Sequence, residues 1–205
     1  MMEEDDEEDY KEEAENKIEI KAILLGNAGV GKTNLINVSV GQPFNYESKS
    51  TNCCSLSQKR IEINNIKYII NLWDTMGQEA YKGISKLFFR DAQIVIFVYD
   101  ITSEESFSSL EEWIEMAKDT IGEAYIGGIV GNKNDLYLQA KITEEDAKKF
   151  AENKKMEFKL VSAKEAPQCF EDILIDLVKK YKVPEEQMKK TVLNNAPMEK
   201  KKRGC

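Results

Sequence analysis

Gly26-Asn-Ala-Gly-Val-Gly31-Lys32-Thr33 is the stretch on which the fold of this chain turns. It matches the pattern G-x-x-x-x-G-K-[ST] and lies between a predicted strand and a predicted helix, the context in which that pattern cradles phosphates. Upstream, Ile18, Ile20, Ala22 and Leu24 alternate as in a strand that delivers the chain to a tight glycine turn. Downstream, a helix is expected over 32–40. Gly26, Gly29 and Gly31 let backbone N–H groups turn toward phosphate oxygens, and the helix N-terminus adds partial positive charge. Asn27, Ala28 and Val30 complete the loop, and Asn34 follows on the helix. In such a loop Lys32 reaches the β/γ-phosphates and the Thr33 hydroxyl is a ligand for Mg²⁺.

A phosphate loop serves ATP as readily as GTP, so the base is argued separately. Asn132-Lys133-Asn134-Asp135 follows a predicted strand. A carboxylate at Asp135 can accept from both N1–H and the 2-amino group of guanine, whereas adenine presents the wrong pattern there. The stem of Lys133 can lie over the base, and Asn132 can tie this loop to the phosphate loop. After the next strand comes Ser162-Ala163-Lys164, where a backbone N–H can meet guanine O6. A P-loop ATPase or small kinase is disfavoured by these residues. A third stretch, Trp73-Asp74-Thr-Met-Gly77-Gln78-Glu79, ends a strand on an acid. Asp74 is placed to hold Mg²⁺, the Gly77 N–H to sense a γ-phosphate, and Gln78 to orient an attacking water.

Working outward, runs over 60–64 and 66–73 are joined at Asn64-Asn65, a plausible hairpin turn because Asn tolerates positive φ. Residues 94–99 are continuously apolar, as in a strand buried on both faces. Thr102-Ser-Glu-Glu105 has the capping-box pattern, and Phe107, Leu110, Ile114, Ala117 and Ile121 recur at helical spacing. A strand over 125–130, weakened by Gly127-Gly128, a helix from Thr143, a strand over 156–161 and a helix marked by Phe170, Ile173, Leu174, Leu177 and Tyr181 complete the order. Strands alternating with helices imply an α/β sheet with right-handed crossovers.

Composition narrows the chemistry. The 205 residues suit one α/β domain. Of a net charge of −8, residues 1–16 hold −9, ten acids against one lysine, which leaves +1 for the rest. The acidic run over 3–9 repels itself and buries nothing, so 1–16 reads as a disordered arm, either a solubilising extension or a tail for a basic partner. The chain has no histidine, which excludes serine–histidine and cysteine–histidine hydrolase mechanisms. Its cysteines, Cys53, Cys54, Cys169 and Cys205, form no C-x-x-C pair and point to neither disulfides nor zinc. With no long apolar run and an acidic start, a cytosolic protein is expected.

With these motifs in order, the chain resembles the Ras superfamily, and its Rab branch in particular, from about Glu15 to Lys182. Rab-like runs surround the motifs: Leu72-Trp73-Asp74, Leu87-Phe88-Phe89-Arg90-Asp-Ala-Gln93 and Phe97-Val-Tyr-Asp-Ile-Thr102. The resemblance implies a P-loop G domain over 17–182, a six-stranded, mostly parallel sheet with one antiparallel strand and five flanking helices, followed by a flexible tail over 183–205. It implies that Phe44 packs against guanine and that Thr51 caps Mg²⁺ and the γ-phosphate. It also implies that Leu56, Trp73 and Phe88 form an effector surface. The activity implied is slow GTP hydrolysis by a monomeric switch in vesicle traffic, with Lys32 and Gln78 catalytic. Its implied partners are exchange factors, GTPase-activating proteins and effectors, with no nucleic acid. Loss of the γ-phosphate would release the loops held by Thr51 and Gly77.

Several positions depart from that pattern. Asn52-Cys53 follows Thr51 where Ile-Gly is usual, and Leu56 replaces an aromatic, which predicts effector choice of its own. Ala28 stands where some relatives have glycine, Ala80 where an arginine is often found, and Met76 where a small alanine is usual. Crowding by Met76 predicts slow intrinsic hydrolysis or a displaced Gln78; a Rab-like scaffold with negligible turnover is the alternative reading. Cys205 ends the sequence behind four basic residues, so a prenyl chain plus a polybasic patch would anchor it to the cytoplasmic face of an intracellular membrane. A lone terminal cysteine fits neither the two-cysteine Rab tail nor a C-a-a-X signal, and an unmodified tail stays open.

Overall fold

The computed structural model describes residues 17–46, 54–75 and 89–184. Six strands form one sheet: β1 (Lys17–Leu25), β2 (Ser55–Ile63), β3 (Ile66–Asp74), β4 (Ile94–Asp100), β5 (Ile126–Asn132) and β6 (Glu157–Leu160). Their order is β2-β3-β1-β4-β5-β6. The β2–β3 pair is antiparallel and every other pair is parallel. The described helices are α1 (Lys32–Ser39), α2 (Glu104–Ser108), α3 (Leu110–Ile121), α4 (Glu144–Asn153) and α5 (Gln168–Lys180), with a 3₁₀ segment over Asn134–Gln139. None of the described helices is long and apolar enough to cross a membrane.

The two-residue period of a strand distributes its side chains between two cores. Along β4, Ile94, Ile96 and Val98 join one cluster with Leu35 and Ile36 of α1 and Phe170, Leu174 and Leu177 of α5. Val95, Phe97 and Tyr99 point the other way, to Leu110, Trp113 and Ile114 of α3 and Ala147 and Ala151 of α4. All seven residues of β4 are buried, so the unbroken apolar run is the mark of a strand covered on both faces. Each fully buried large side chain contributes roughly 1.5–3 kcal/mol of hydrophobic stabilisation. Gly128 fits the same geometry: a Cβ there would meet Leu177 Cδ1 at 2.9 Å, so the missing side chain lets α5 approach the sheet.

Local chemistry sets the connections. Asn64 and Asn65 both take positive φ, 54° and 61°, and close the β2–β3 hairpin where the sequence places it. Strand β2 begins at Ser55, five residues before the expected start at Arg60. Its first half is an exposed edge held by pairing with β3, from Ser55 opposite Asp74, and so has little apolar pattern to read. The predicted cap at Thr102 is displaced by one residue. Ser103 accepts from the Ser106 N–H at 3.2 Å, while Thr102 turns back and donates to Asp100 Oδ1 at 2.7 Å. The single helix expected beyond it is divided at Ser109. There Ser108 and Ser109 hydroxyls both donate to the Glu105 carbonyl, at 3.0 and 2.8 Å, and compete with its helical bond.

Candidate functional site

Five parallel strands, counting β3, end on one edge of the sheet, and the candidate residues gather there. In an α/β sheet this carboxyl edge is where ligands bind, outside the point at which strand order reverses. Here the reversal falls at β1, flanked by β3 and β4. The phosphate loop leaves β1 beside Asp74, the last residue of β3, because Leu24 pairs with Asp74 in register. At the end of β5, Asn132 pairs with Asp100 of β4.

Close approach and dihedral angle both require glycine in the loop. A Cβ on Gly26 (φ +148°) would lie 2.1 Å from the Val98 carbonyl oxygen, and one on Gly31 (φ +95°) 2.4 Å from Asn132 Nδ2. Gly31 in turn caps α1, so the helix begins at Lys32 with the loop folded over its N-terminus. The Lys32 ammonium donates to the carbonyls of Gly26 at 2.7 Å and Asn27 at 3.0 Å. Burial pushes its pKa down to about 8, against the opposing pull of Asp74. Thr33 Oγ1 donates to Asp74 Oδ2 at 2.7 Å. The tip is bare: nothing lies within 4 Å of a Cβ built on Gly29, and Ala28 is exposed.

The other end of the cleft is built from side chains. Asn132 Nδ2 donates to the Val30 carbonyl at 2.8 Å, and its Oδ1 accepts from the Ala163 N–H at 3.2 Å. One buried amide thus joins the phosphate loop, the 132–135 loop and the 162–164 loop. Asp135 Oδ1 accepts from Ser162 Oγ at 2.6 Å, and that hydroxyl accepts in turn from the Glu165 N–H at 3.0 Å. Lys133 takes a left-handed backbone, φ 66°, and its ammonium meets Asp100 Oδ2 at 2.6 Å. Burial raises the Asp100 pKa, but hydrogen bonds from Lys133 and Thr102 outweigh it, so the carboxyl titrates below its usual range. A cleft of about 350 Å³, within the range of small-molecule sites, is lined by Gly29, Phe44, Lys133, Asp135 and Lys164 among others.

Of the predicted site residues, those over 26–34 and Phe44, Asp74, Asn132, Lys133, Asp135, Ser162, Ala163 and Lys164 are all described, and they converge on this edge. Asn34 lines the cleft, but its side chain is committed to the Asn45 backbone, donating at 3.0 Å and accepting at 3.0 Å. That pair fixes the segment bearing Phe44, whose ring Tyr46 meets edge-on at 4.9 Å. Leu56 and Trp73 of the proposed effector trio are cross-strand partners, with the Lys21 ammonium 5.0 Å from the Trp73 ring. Thr51, Met76, Gly77, Gln78, Phe88 and Cys205 lie outside the described residues, as do the acidic arm and the basic tail. Sequence reasoning gave no role to Asp100, Asn45, Tyr46 or Leu136. For Asp100 a signal existed, an acid closing a seven-residue strand that is otherwise apolar, two residues before a threonine.

The donor set fits a hard divalent cation: Thr33 Oγ1 and Asp74 Oδ2 are neutral and anionic oxygens side by side at the mouth of the phosphate loop. These two residues would hold Mg²⁺, a cation that takes oxygen ligands.

Comparison with known proteins agrees with this geometry. The model of the Ras family matches residues 21–183. Ras-related protein Rab-21 of Geodia cydonium is 36% identical over 163 residues, 80% of this chain and 71% of the relative. Ras-related protein Rab-30 of Homo sapiens is 35% identical over 175 residues, 85% of each chain. GTP-binding protein ypt3 of Schizosaccharomyces pombe is 33% identical over 160 residues, 77% of this chain and 75% of the relative.

Proposed function

The chain belongs to the Ras family, as a Rab-like small GTPase, and from that premise we propose that it is a guanine-nucleotide switch that hydrolyses GTP slowly and acts in vesicle traffic. The observation that carries the choice of base is the Asp135 carboxylate, held by Ser162 in the cleft beside Phe44 and Lys133. With one oxygen anchored, the carboxylate keeps an orientation in which it can accept from guanine N1–H and the 2-amino group. Such charge-assisted bonds contribute about 1.5–3 kcal/mol each. Adenine would leave the same carboxylate facing an acceptor.

At the other end, Lys32 and the loop N–H groups would hold the phosphates, with Thr33 and Asp74 as ligands to Mg²⁺. Bound Mg²⁺ neutralises phosphate charge. Lys32 sits where its ammonium can follow charge developing between β- and γ-phosphates, already aimed by the Gly26 and Asn27 carbonyls. Gln78 is proposed to orient the attacking water, and Thr51 and Gly77 to report the γ-phosphate to effectors through Leu56, Trp73 and Phe88. Exchange factors and GTPase-activating proteins would set the timing, with Cys205 and the basic tail as the route to a membrane. The scaffold reading rests on Met76 and on the departures at Asn52-Cys53 after Thr51, all outside the described residues.

Titration of nucleotide-stripped protein with fluorescent GDP and ADP in the presence of Mg²⁺ tests the reading. Tight GDP binding, at least about a thousandfold above ADP, is expected from two lost charge-assisted bonds and one repulsive contact. Comparable affinities would sink it.

A further inference from the structure

The phosphate loop is pinned at two places. Its far end is held by Asn132 on the Val30 carbonyl, a bond internal to the nucleotide site. Its near end is held from outside that site. The indole Nε1–H of Trp113, on α3, donates to Asn27 Oδ1 at 2.8 Å, and Asn27 Nδ2 donates to the Ser109 hydroxyl at the start of the same helix, 3.1 Å away. Both polar atoms of the Asn27 amide are thereby used, which fixes its orientation. Between the two anchors, Ala28 and Gly29 touch little.

The same residue links the helix to the catalytic lysine. The main-chain carbonyl of Asn27 accepts from Lys32 Nζ, so a shift of its side chain would move one of the two carbonyls that aim the ammonium. Trp113 is almost fully buried, at 6% exposure, in the cluster with Ile114 and Ala117. A buried indole N–H needs an acceptor. The only described acceptor it meets belongs to the phosphate loop.

We propose that Trp113 is a positioning residue of the phosphate site, tying α3 to the first turn of the loop so that the residence time of bound nucleotide depends on the position of that helix. This rests on the nucleotide-binding function proposed above. A partner that displaced α3 would loosen the phosphate grip without touching the nucleotide, and the coupling would run equally in the other direction.

The test is a double-mutant cycle on the dissociation of methylanthraniloyl-GDP, chased with excess GDP from the full-length protein. Trp113→Phe keeps an aromatic ring in the core but removes the N–H donor together with part of the indole's volume; Asn27→Ala removes the acceptor and the bond to Ser109. The cycle separates the hydrogen bond from that lost volume. Each single variant is expected to speed release about three- to tenfold, the weight of one net hydrogen bond, and the double variant no more than the faster single one. A purely packing role for Trp113 would leave release unchanged or make the two effects multiply, and either result overturns the proposal. Should Trp113→Phe fail to fold, Asn27→Ala, in a half-exposed loop, decides alone: unchanged release refutes the anchor. If the wild-type chain binds no labelled GDP, the function itself falls, and this inference with it.

Discussion

The proposed phosphate and base ends of the cleft are made from different materials. The phosphate end is backbone: two glycines whose Cβ atoms would collide with Val98 and Asn132, and carbonyls that aim Lys32. The base end is side chain: Asp135, Lys133 and Asn132 each take a fixed partner in Ser162, Asp100 and Val30. Backbone recognises what all nucleotides share, because every phosphate offers the same oxygens. Side chains recognise what differs among bases. The difference predicts that substitutions at one end change which nucleotide is chosen, whereas those at the other weaken all nucleotides alike.

The largest effect is expected from Asp135→Asn. The amide presents a donor that can meet the 2-oxo group of xanthine, and it repels the 2-amino group of guanine. GDP affinity should fall by about a hundredfold or more, in keeping with one or two charge-assisted bonds, while xanthosine diphosphate gains. Competition between the two diphosphates for the variant measures this directly. If both lose affinity equally, the base end is not the selector and the division between the ends breaks down.

Gly31→Ala tests the opposite end. The methyl would sit 2.4 Å from Asn132 Nδ2 at a φ of +95°, so Asn132 must give up its bond to Val30 or the loop must move. Backbone strain of about 1–2 kcal/mol should appear as a lower melting temperature. All purine nucleotides should weaken by a common factor of about ten, whichever base they carry. A selective loss of GDP over xanthosine diphosphate would show that the phosphate end also reads the base.

The same division explains what was legible in the sequence. Glycines, Lys32 and Thr33 stand at fixed spacing because a backbone cradle is one local turn, so the phosphate end could be read from eight consecutive residues. Strand β4 was equally plain, since burial on both faces leaves an unbroken apolar run. The base end was legible as two short loops, but the contacts that hold it, Ser162 to Asp135 and Asp100 to Lys133, join residues 27 and 33 positions apart. Only the sheet order, with β4, β5 and β6 adjacent, brings them together. The first half of β2 was not legible, because an exposed edge strand is specified by the ladder it joins. Nor was the anchor between Trp113 and Asn27, which spans 86 positions: a tryptophan at helical spacing among apolar residues reads as core, and it is core, with its one polar atom turned to the loop.

The smallest effect belongs to Asp100, which supports the base end without facing the cleft's ligand. Asp100→Asn would remove the charge partner of Lys133 and leave the ammonium to solvent, which reaches it already because Lys133 is 35% exposed. GDP affinity should therefore drop only about two- to fivefold, and stability at neutral pH by about 1 kcal/mol. The pH dependence separates this pair from mere packing. Hydrogen bonds from Lys133 and Thr102, winning over burial, hold the folded-state pKa of Asp100 below the ordinary 3.8. Its contribution is thus complete above about pH 4 and is lost as pH falls through the depressed value, where the folded carboxyl takes up its proton. Urea midpoints of wild type and Asp100→Asn should differ at pH 7 and converge in acid below the ordinary carboxylate range, since the amide has no proton to gain. A gap that persists unchanged into acid would mean that the carboxylate shapes the loop without its charge. The base end would then resemble the phosphate end more closely than the bonds around it suggest.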